Sequence, residues 1–296
     1  MERKKATDFP PEVLKLFDGF VHGRVTRRDF LEGAARYAVG GFTAAAMLEA
    51  LTPNFAWAQQ VKPDDARIAI QRVDYSSPGG SGTMRAYVAK PANAKGKLPA
   101  VIVIHENRGL NPYIEDVARR LATEGYVAVA PDALSPVGGY PGDEDRAREM
   151  FAKLDAAKRT EDLMAAVDYV KSRPDFGGKY GAIGFCFGGG VVNTMATRFP
   201  DLAAGVPYYG VQPKAEEAAK VKSPLMLHYA SEDERITSGW PAFEKVLDEY
   251  HVENHGYIYP NTQHGFHNDT TPRYDEAAAK LAWSRTIAFF KENLKG

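Results

Sequence analysis

The chain has 296 residues, 44% of them hydrophobic and 25% charged, an ordinary globular balance with enough apolar material for a sizeable core. Its formal net charge is -1, and no basic stripe stands out beyond the N-terminus, which argues against a nucleic-acid partner. A single cysteine, Cys186, excludes an intramolecular disulfide, and a lone thiol in an exported chain is open to oxidation and calls for a reason such as catalysis.

Residues 26–31, Thr-Arg-Arg-Asp-Phe-Leu, read as a twin-arginine export signal behind an unusually long n-region. A weakly apolar stretch rich in Ala and Gly follows at about residues 34–51, and then Ala56-Trp57-Ala58, a small-x-small cleavage pattern. Residues 1–58 are therefore expected to be a cleaved leader and residues 59–296 a mature domain of ordinary size for one α/β unit. The expected partner is the twin-arginine export machinery, and the expected place of work is the periplasm or beyond. The plain alternative is an amphipathic N-terminal helix. A retained membrane anchor is disfavoured, because the stretch is short and carries Glu49, whose charge is costly in lipid.

In the mature part, residues 67–75 and 84–89 alternate apolar and polar around a Gly/Ser-rich stretch, as an antiparallel hairpin at a sheet edge does. Residues 100–105 form a continuous β-branched run, which suits a parallel strand buried on both faces. Helical spacing follows at 112–124, stopping at Gly125, and 126–130 is the next buried strand. The alternation continues with a helix at 161–172, a strand at 179–183, a helix at 187–198 and a strand at 203–209. A short helix at 214–220, a strand at 225–229, a helix at 241–250, a strand at 256–259 and a long helix at 273–294 complete it. Strands alternating with helices predict an α/β class with a mostly parallel sheet covered on both faces, whose sites form beyond the carboxyl ends of the strands.

Gly184-Phe185-Cys186-Phe187-Gly188-Gly189 follows a predicted strand and opens a predicted helix, the context of a nucleophile elbow with Cys in place of Ser. Such a turn exposes its nucleophile at a helix N-terminus, where the dipole favours thiolate. Asp233 lies in the loop after the strand at 225–229, with Glu232 and Glu234 as neighbouring competitors, and an acid there can orient a histidine. His264 follows the strand at 256–259 and can serve as general base, with His267 as its rival. Taken singly, each also has a plain reading: a buried structural cysteine, a solvated loop acid, a lone histidine. Together they give the order nucleophile, acid, histidine, each just after a strand, which is the α/β-hydrolase order. The early strand-to-helix loop, His105-Glu106-Asn107-Arg108-Gly109, and the residue after the nucleophile supply oxyanion donors in that fold, which points to the backbone N–H groups of Asn107 and Phe187. A metal at His264, His267 and Asp269, joined by His105-Glu106, is disfavoured, because His-x-x-His on a loop has no fixed geometry.

These residues resemble the dienelactone hydrolase family over about residues 67–294. The resemblance rests on His-Glu-Asn-Arg-Gly at 105–109, Ala-Pro-Asp at 130–132, the Cys-containing elbow at 184–189, Ser-Glu-Asp at 231–233 and His-Gly-Phe at 264–266. It implies an α/β-hydrolase fold and cofactor-free hydrolysis of small esters or lactones through an acyl-enzyme. Cys186 would be the nucleophile, Asp233 and His264 its partners, and Glu106 a glutamate that contacts the resting thiol and helps to activate it. The sequence departs from the family in its substrate-carboxylate arginines. The loop after Ala-Pro-Asp holds residues 133–140 without one, and His267-Asn268 follow where a second is expected, leaving Arg108 or Arg235 to substitute. The export signal is a further departure. A second class of function, a hydrolase-fold ligand-binding protein without turnover, is opposed by the intact Cys, Asp and His.

Overall fold

The computed structural model describes residues 4–57 and 59–295. Its centre is an eight-stranded sheet in the order β1-β2-β4-β3-β5-β6-β7-β8. The strands are β1 (Ile68–Ser77), β2 (Gly82–Pro91), β3 (Leu98–Ile104), β4 (Val127–Asp132), β5 (Phe176–Phe185), β6 (Ala204–Tyr208), β7 (Leu225–Ala230) and β8 (Asn254–Tyr259). β1 pairs antiparallel with β2, and β2 with β4, while every other neighbour is parallel. The Gly/Ser-rich stretch thus closes an edge hairpin, as its alternation predicts, and the β-branched run becomes the buried β3.

Side chains of β3 alternate between two cores. Ala100, Ile102 and Ile104 face one layer, which includes α7 (Ala166–Ser172), α8 (Phe187–Arg198) and α11 (Trp240–Glu249). Val101 and Val103 face the other, which includes α4 (Pro112–Thr123) and α12 (Glu276–Lys295). All five are at most 1% exposed, so β3 is covered on both faces, as a period of two between two apolar layers requires.

Local chemistry sets the helix boundaries. Asn111 caps α4 by accepting from the Ile114 N–H at 3.2 Å, with Pro112 in the first turn. Asp143 caps α5 (Glu144–Ala152), and Asp155 caps α6 (Ala156–Met164). The single helix expected at 161–172 is therefore two pieces, α6 and α7, meeting at Ala165. α12 starts at Glu276 rather than at residue 273, because Asp275 accepts from the Ala278 N–H at 2.9 Å and so acts as its cap. Two short helices, α9 (Ala215–Ala218) and α10 (Glu234–Thr237), lie in the connections around β7.

The sequence reading set residues 1–58 apart from the fold. Those described there form three helices, α1 (Pro11–Val21), α2 (Arg27–Ala35) and α3 (Ala44–Leu51), around a small core of their own. Phe17, Phe20, Phe30, Met47 and Leu51 are among its buried members. Residues 34–51 do not form one continuous helix, because α2 ends at Ala35 and a bridge between Val39 and Phe42 intervenes before α3. Thr26 and Asp29 of the arginine motif form a capping box at the start of α2, each side chain accepting from the other's N–H at 3.1 Å. Ala58, the expected last residue of the leader, lies outside the described residues. No helix among the described residues is long and apolar enough to cross a membrane.

This small bundle rests on the carboxyl ends of the strands. Arg27 pairs with Asp145 at 2.7 Å, Arg148 donates to the Phe20 carbonyl at 2.8 Å, and Asn107 donates to the Val21 carbonyl at 2.9 Å. The strand order reverses direction at β3 and β5, so the loops after these two strands border the crevice where α/β sheets place their sites.

Candidate active site

Cys186 lies between β5 and α8 with φ 55° and ψ −113°, a backbone region that side chains rarely occupy. The turn holds because its neighbours are glycines. A Cβ on Gly184 would meet the Gly188 carbonyl, and one on Gly188 would meet the Ile104 carbonyl, both far inside contact distance. The strand-turn-helix context expected of an elbow is thus present, and the Cys186 N–H is fixed to the Tyr208 carbonyl at 3.0 Å. Phe187 opens α8, so its N–H is one that an α-helix leaves without an internal acceptor.

Asp233, after β7, and His264, after β8, meet over this turn. His264 Nδ1 donates to Asp233 Oδ2 at 2.5 Å, and each residue is 5% exposed. The other ring nitrogen of His264, Nε2, is buried with no hydrogen-bond partner among the described residues. Burial opposes the charged form of His264, but the adjacent Cys186 sulfur and the Asp233 carboxylate outweigh it and push its pKa up to about 10. Burial likewise opposes the thiolate, yet the neighbouring imidazoles of His264 and His22 hold the Cys186 pKa well below that of an ordinary thiol. Both shifts favour the thiolate–imidazolium form of the pair over the neutral one.

Glu106 is buried beside them and accepts from Asn268 Nδ2 at 3.1 Å. Burial and the charge of Cys186 both raise its pKa, which favours a protonated carboxyl that does not repel the thiolate. Asn107 lies in the same loop, its side chain turned to the Val21 carbonyl. Arg108 is not free to hold a substrate. It is 8% exposed, its Nε lies 2.9 Å from Glu144 Oε2, and it donates to the Asn107 side chain at 3.0 Å.

Each rival has a structural partner or a surface place. His267 Nδ1 is 2.6 Å from the Tyr113 hydroxyl, its ring stacks on Phe185, and burial pushes its pKa well below the usual histidine value. His105 Nε2 accepts from the Ala133 N–H at 3.0 Å while its Nδ1 is turned to the Glu106 carbonyl, which fixes a neutral ring inside the loop. Asp269 pairs with Arg120 at 2.7 Å. Glu232 and Glu234 are exposed, unlike Asp233.

Three residues escaped the sequence reading. Tyr209, with φ 38°, buries a hydroxyl that has no hydrogen-bond partner among the described residues, and its ring centre lies 4.9 Å from that of His264. Arg273 lines a cavity of about 220 Å³ with Asp18, Arg235 and His264, and its Nη1 is 3.9 Å from Asp18, beyond hydrogen-bond reach. His22, just past the end of α1, places Nε2 3.5 Å from Cys186 Sγ. Among the described residues, the ligand atoms of His22, Cys186 and His264 all lie within 4.8 Å of one another, so there this trio, rather than the loop histidines, could hold a soft divalent ion.

The sequence model of the dienelactone hydrolase family matches residues 84–294, and that of a family described as YqhI-like matches residues 1–39. A putative carboxymethylenebutenolidase of Saccharolobus solfataricus is 32% identical over 259 residues, covering 75% of this chain and 98% of the relative. A putative hydrolase fragment of Escherichia coli, YghX, is 56% identical over 113 residues, 38% of this chain and 97% of the fragment. The crystal structure of a putative dienelactone hydrolase from Klebsiella pneumoniae superposes with a TM-score of 0.67 at 29% identity, over 76% of this chain and 99% of that one.

Proposed function

The chain belongs to the dienelactone hydrolase family of lactone and ester hydrolases, and from that premise we propose that it cleaves a small ester or lactone with Cys186 as nucleophile, through an acyl-enzyme. The observation that carries this reading is the strained elbow, with Cys186 aimed at a buried imidazole that Asp233 holds by its far nitrogen. Strain at a functional turn, a carboxylate–histidine pair and a depressed thiol make one unit.

In this mechanism the Cys186 thiolate attacks the carbonyl carbon, and the carbonyl electrons move to oxygen. The N–H groups of Phe187 and Asn107 receive that oxyanion. The C–O bond then breaks, and the leaving oxygen takes the proton of the His264 imidazolium. Water attacks the thioester while His264 Nε2 accepts its proton, and the second tetrahedral intermediate expels the thiolate. Asp233 orients the ring and offsets its charge at both stages. Burial and the nearby sulfur charge favour the protonated form of Glu106, which limits its repulsion of the thiolate. An anionic group on the substrate meets Arg273 in the cavity beside His264 rather than Arg108, which Glu144 occupies.

A panel of activated esters and small lactones, dienelactone included, tests the reading with wild type beside Cys186→Ala and His264→Ala. Turnover that disappears in both variants supports it. Turnover intact in Cys186→Ala excludes it. A wild type with a reduced thiol that binds panel compounds without converting them favours the ligand-binding alternative.

Export through the twin-arginine machinery is a separate proposal, supported by the motif at residues 26–31 and by the exposure of Arg27 and Arg28 at the start of α2. Cell fractionation with N-terminal sequencing tests it, and retention of the chain in the cytoplasm excludes it.

A further inference from the structure

We propose that His22, brought by the N-terminal bundle, is a catalytic residue of the same site, pairing with the Cys186 thiolate as a second carboxylate-backed imidazole. The proposal rests on the reading of Cys186 as nucleophile, which it deepens, and on residues 1–58 remaining attached; N-terminal sequencing that shows them removed overturns it.

His22 follows α1 directly, one helical turn after Asp18. Its Nδ1 donates to the Asp18 carbonyl at 2.7 Å and sits 3.1 Å from the Asp18 carboxylate. That leaves Nε2 as the nitrogen offered to Cys186 Sγ, at 3.5 Å. His22 thus approaches the sulfur as a second imidazole, but its Nδ1 bonds to the Asp18 backbone carbonyl with the carboxylate beside it, and the two imidazole rings lie 4.9 Å apart, edge to face. The groups around the ring are Asp18 on its own helix, and Cys186, His264 and Arg235 on the body. Burial opposes charge on His22, but Asp18 and Cys186 outweigh it and raise its pKa, while Asp18 is held well below the usual carboxylate range.

Two features set this contact apart from a plug. First, the turn is fastened by the site itself. Asn107, the expected oxyanion residue, donates to the Val21 carbonyl, and Arg148 donates to the Phe20 carbonyl while its guanidinium lies 3.9 Å over the Phe20 ring. Second, the bundle does not fill the space beside the triad. A cavity of about 220 Å³ remains between Leu14, Lys15 and Asp18 on one side and His264 and Arg273 on the other. The space beside His264 and Asp233 therefore stays open with the bundle in place, although Cys186 does not line it. His22 itself forms and breaks no covalent bond. It keeps its proton, offsets the thiolate charge before attack and receives that charge again when the thioester is cleaved.

The test uses the full chain with a chelator present, so that metal held by the trio does not enter. His22→Ala, His22→Gln and Asp18→Asn are compared with wild type by ultraviolet titration of the thiolate, by the pH profile of Cys186 alkylation, and by kcat/KM on an ester the wild type turns over. We expect the thiol titration to move up by about one unit or more in both His22 variants, alkylation under mildly acidic conditions to slow about tenfold, and kcat/KM to fall about tenfold or further. Asp18→Asn moves all three the same way by less. An unchanged thiol titration in the His22 variants, or turnover that rises on removing the imidazole, overturns the proposal. If His22→Ala does not fold, an unchanged thiol titration in Asp18→Asn overturns it instead. The nucleophile reading fails separately, through turnover that persists in Cys186→Ala, because alkylation and titration report the thiolate whether or not turnover uses it.

Discussion

Replacing Gly184 by alanine tests whether the elbow depends on the backbone packing described above. The added Cβ would be driven into the Gly188 carbonyl and would lie 2.9 Å from the Gly189 amide nitrogen. Those atoms belong to the first turn of α8, so relief requires β5 and α8 to part rather than a side chain to turn. Overpacking of a well-filled core costs about 1–3 kcal/mol, and a clash with backbone belongs at the upper end. At about 2–4 °C per kcal/mol for a domain of this size, Tm should fall by roughly 6–12 °C. Gly79→Ala is the control, because its Cβ would meet only Glu161 at 3.9 Å, an ordinary contact, and should leave Tm within about 2 °C. The assay is a thermal melt by circular dichroism, run beside the rate of Cys186 alkylation, which should fall in Gly184→Ala as the thiol leaves its place at the helix start. A Gly184→Ala protein that melts with wild type and alkylates at the wild-type rate would refute the reasoning.

Three other outcomes follow from the site. Asp233→Asn removes the charge behind His264, so the His264 pKa should drop from about 10 and kcat/KM should fall about 10²–10⁴-fold, read by ring-proton NMR and by kinetics. Because the Cys186 pKa is depressed, its thiolate is populated below the ordinary thiol range. Alkylation should therefore stay fast at pH values where an ordinary thiol has already slowed, whereas an ordinary thiol profile would contradict the paired site. Arg108→Ala leaves Glu144 buried without its cation, so it should destabilise the protein by about 3–5 kcal/mol in denaturant melts, with burial protonating Glu144 as partial relief. A change in KM alone, with stability unchanged, would restore Arg108 as a substrate residue.

The sheet and the placing of Cys186, Asp233 and His264 were legible because periodicity and loop position are local. The β-branched run at 100–105 and the glycines at 184–189 carry their meaning within a few residues. What the sequence concealed was non-local. His267, the rival of His264, is held by the hydroxyl of Tyr113, which lies far earlier in the chain. The pairing of Arg108 with Glu144, and of Asp233 rather than Glu232 with the histidine, depends on which loops meet. The helix at 144–152 was hidden behind the turn-rich stretch at 133–145, although Asp143 marks its start. The largest departure lies at the N-terminus. There the apolar residues Val13, Leu14, Phe17, Phe20 and Val21 repeat at helical spacing, and Asp18 and His22 stand four apart, but reading residues 1–58 as an address left that pattern without a fold to join.

The most direct test of the central claim is to trap the acyl-enzyme. Full-length protein mixed with a slowly hydrolysed activated ester is quenched in acid, digested and weighed by mass spectrometry. We predict one acyl group on the peptide containing Cys186, accumulating further in His264→Ala if acylation survives there, and none in Cys186→Ala. Turnover at the wild-type rate with no acyl group on Cys186 at any time point would contradict the account.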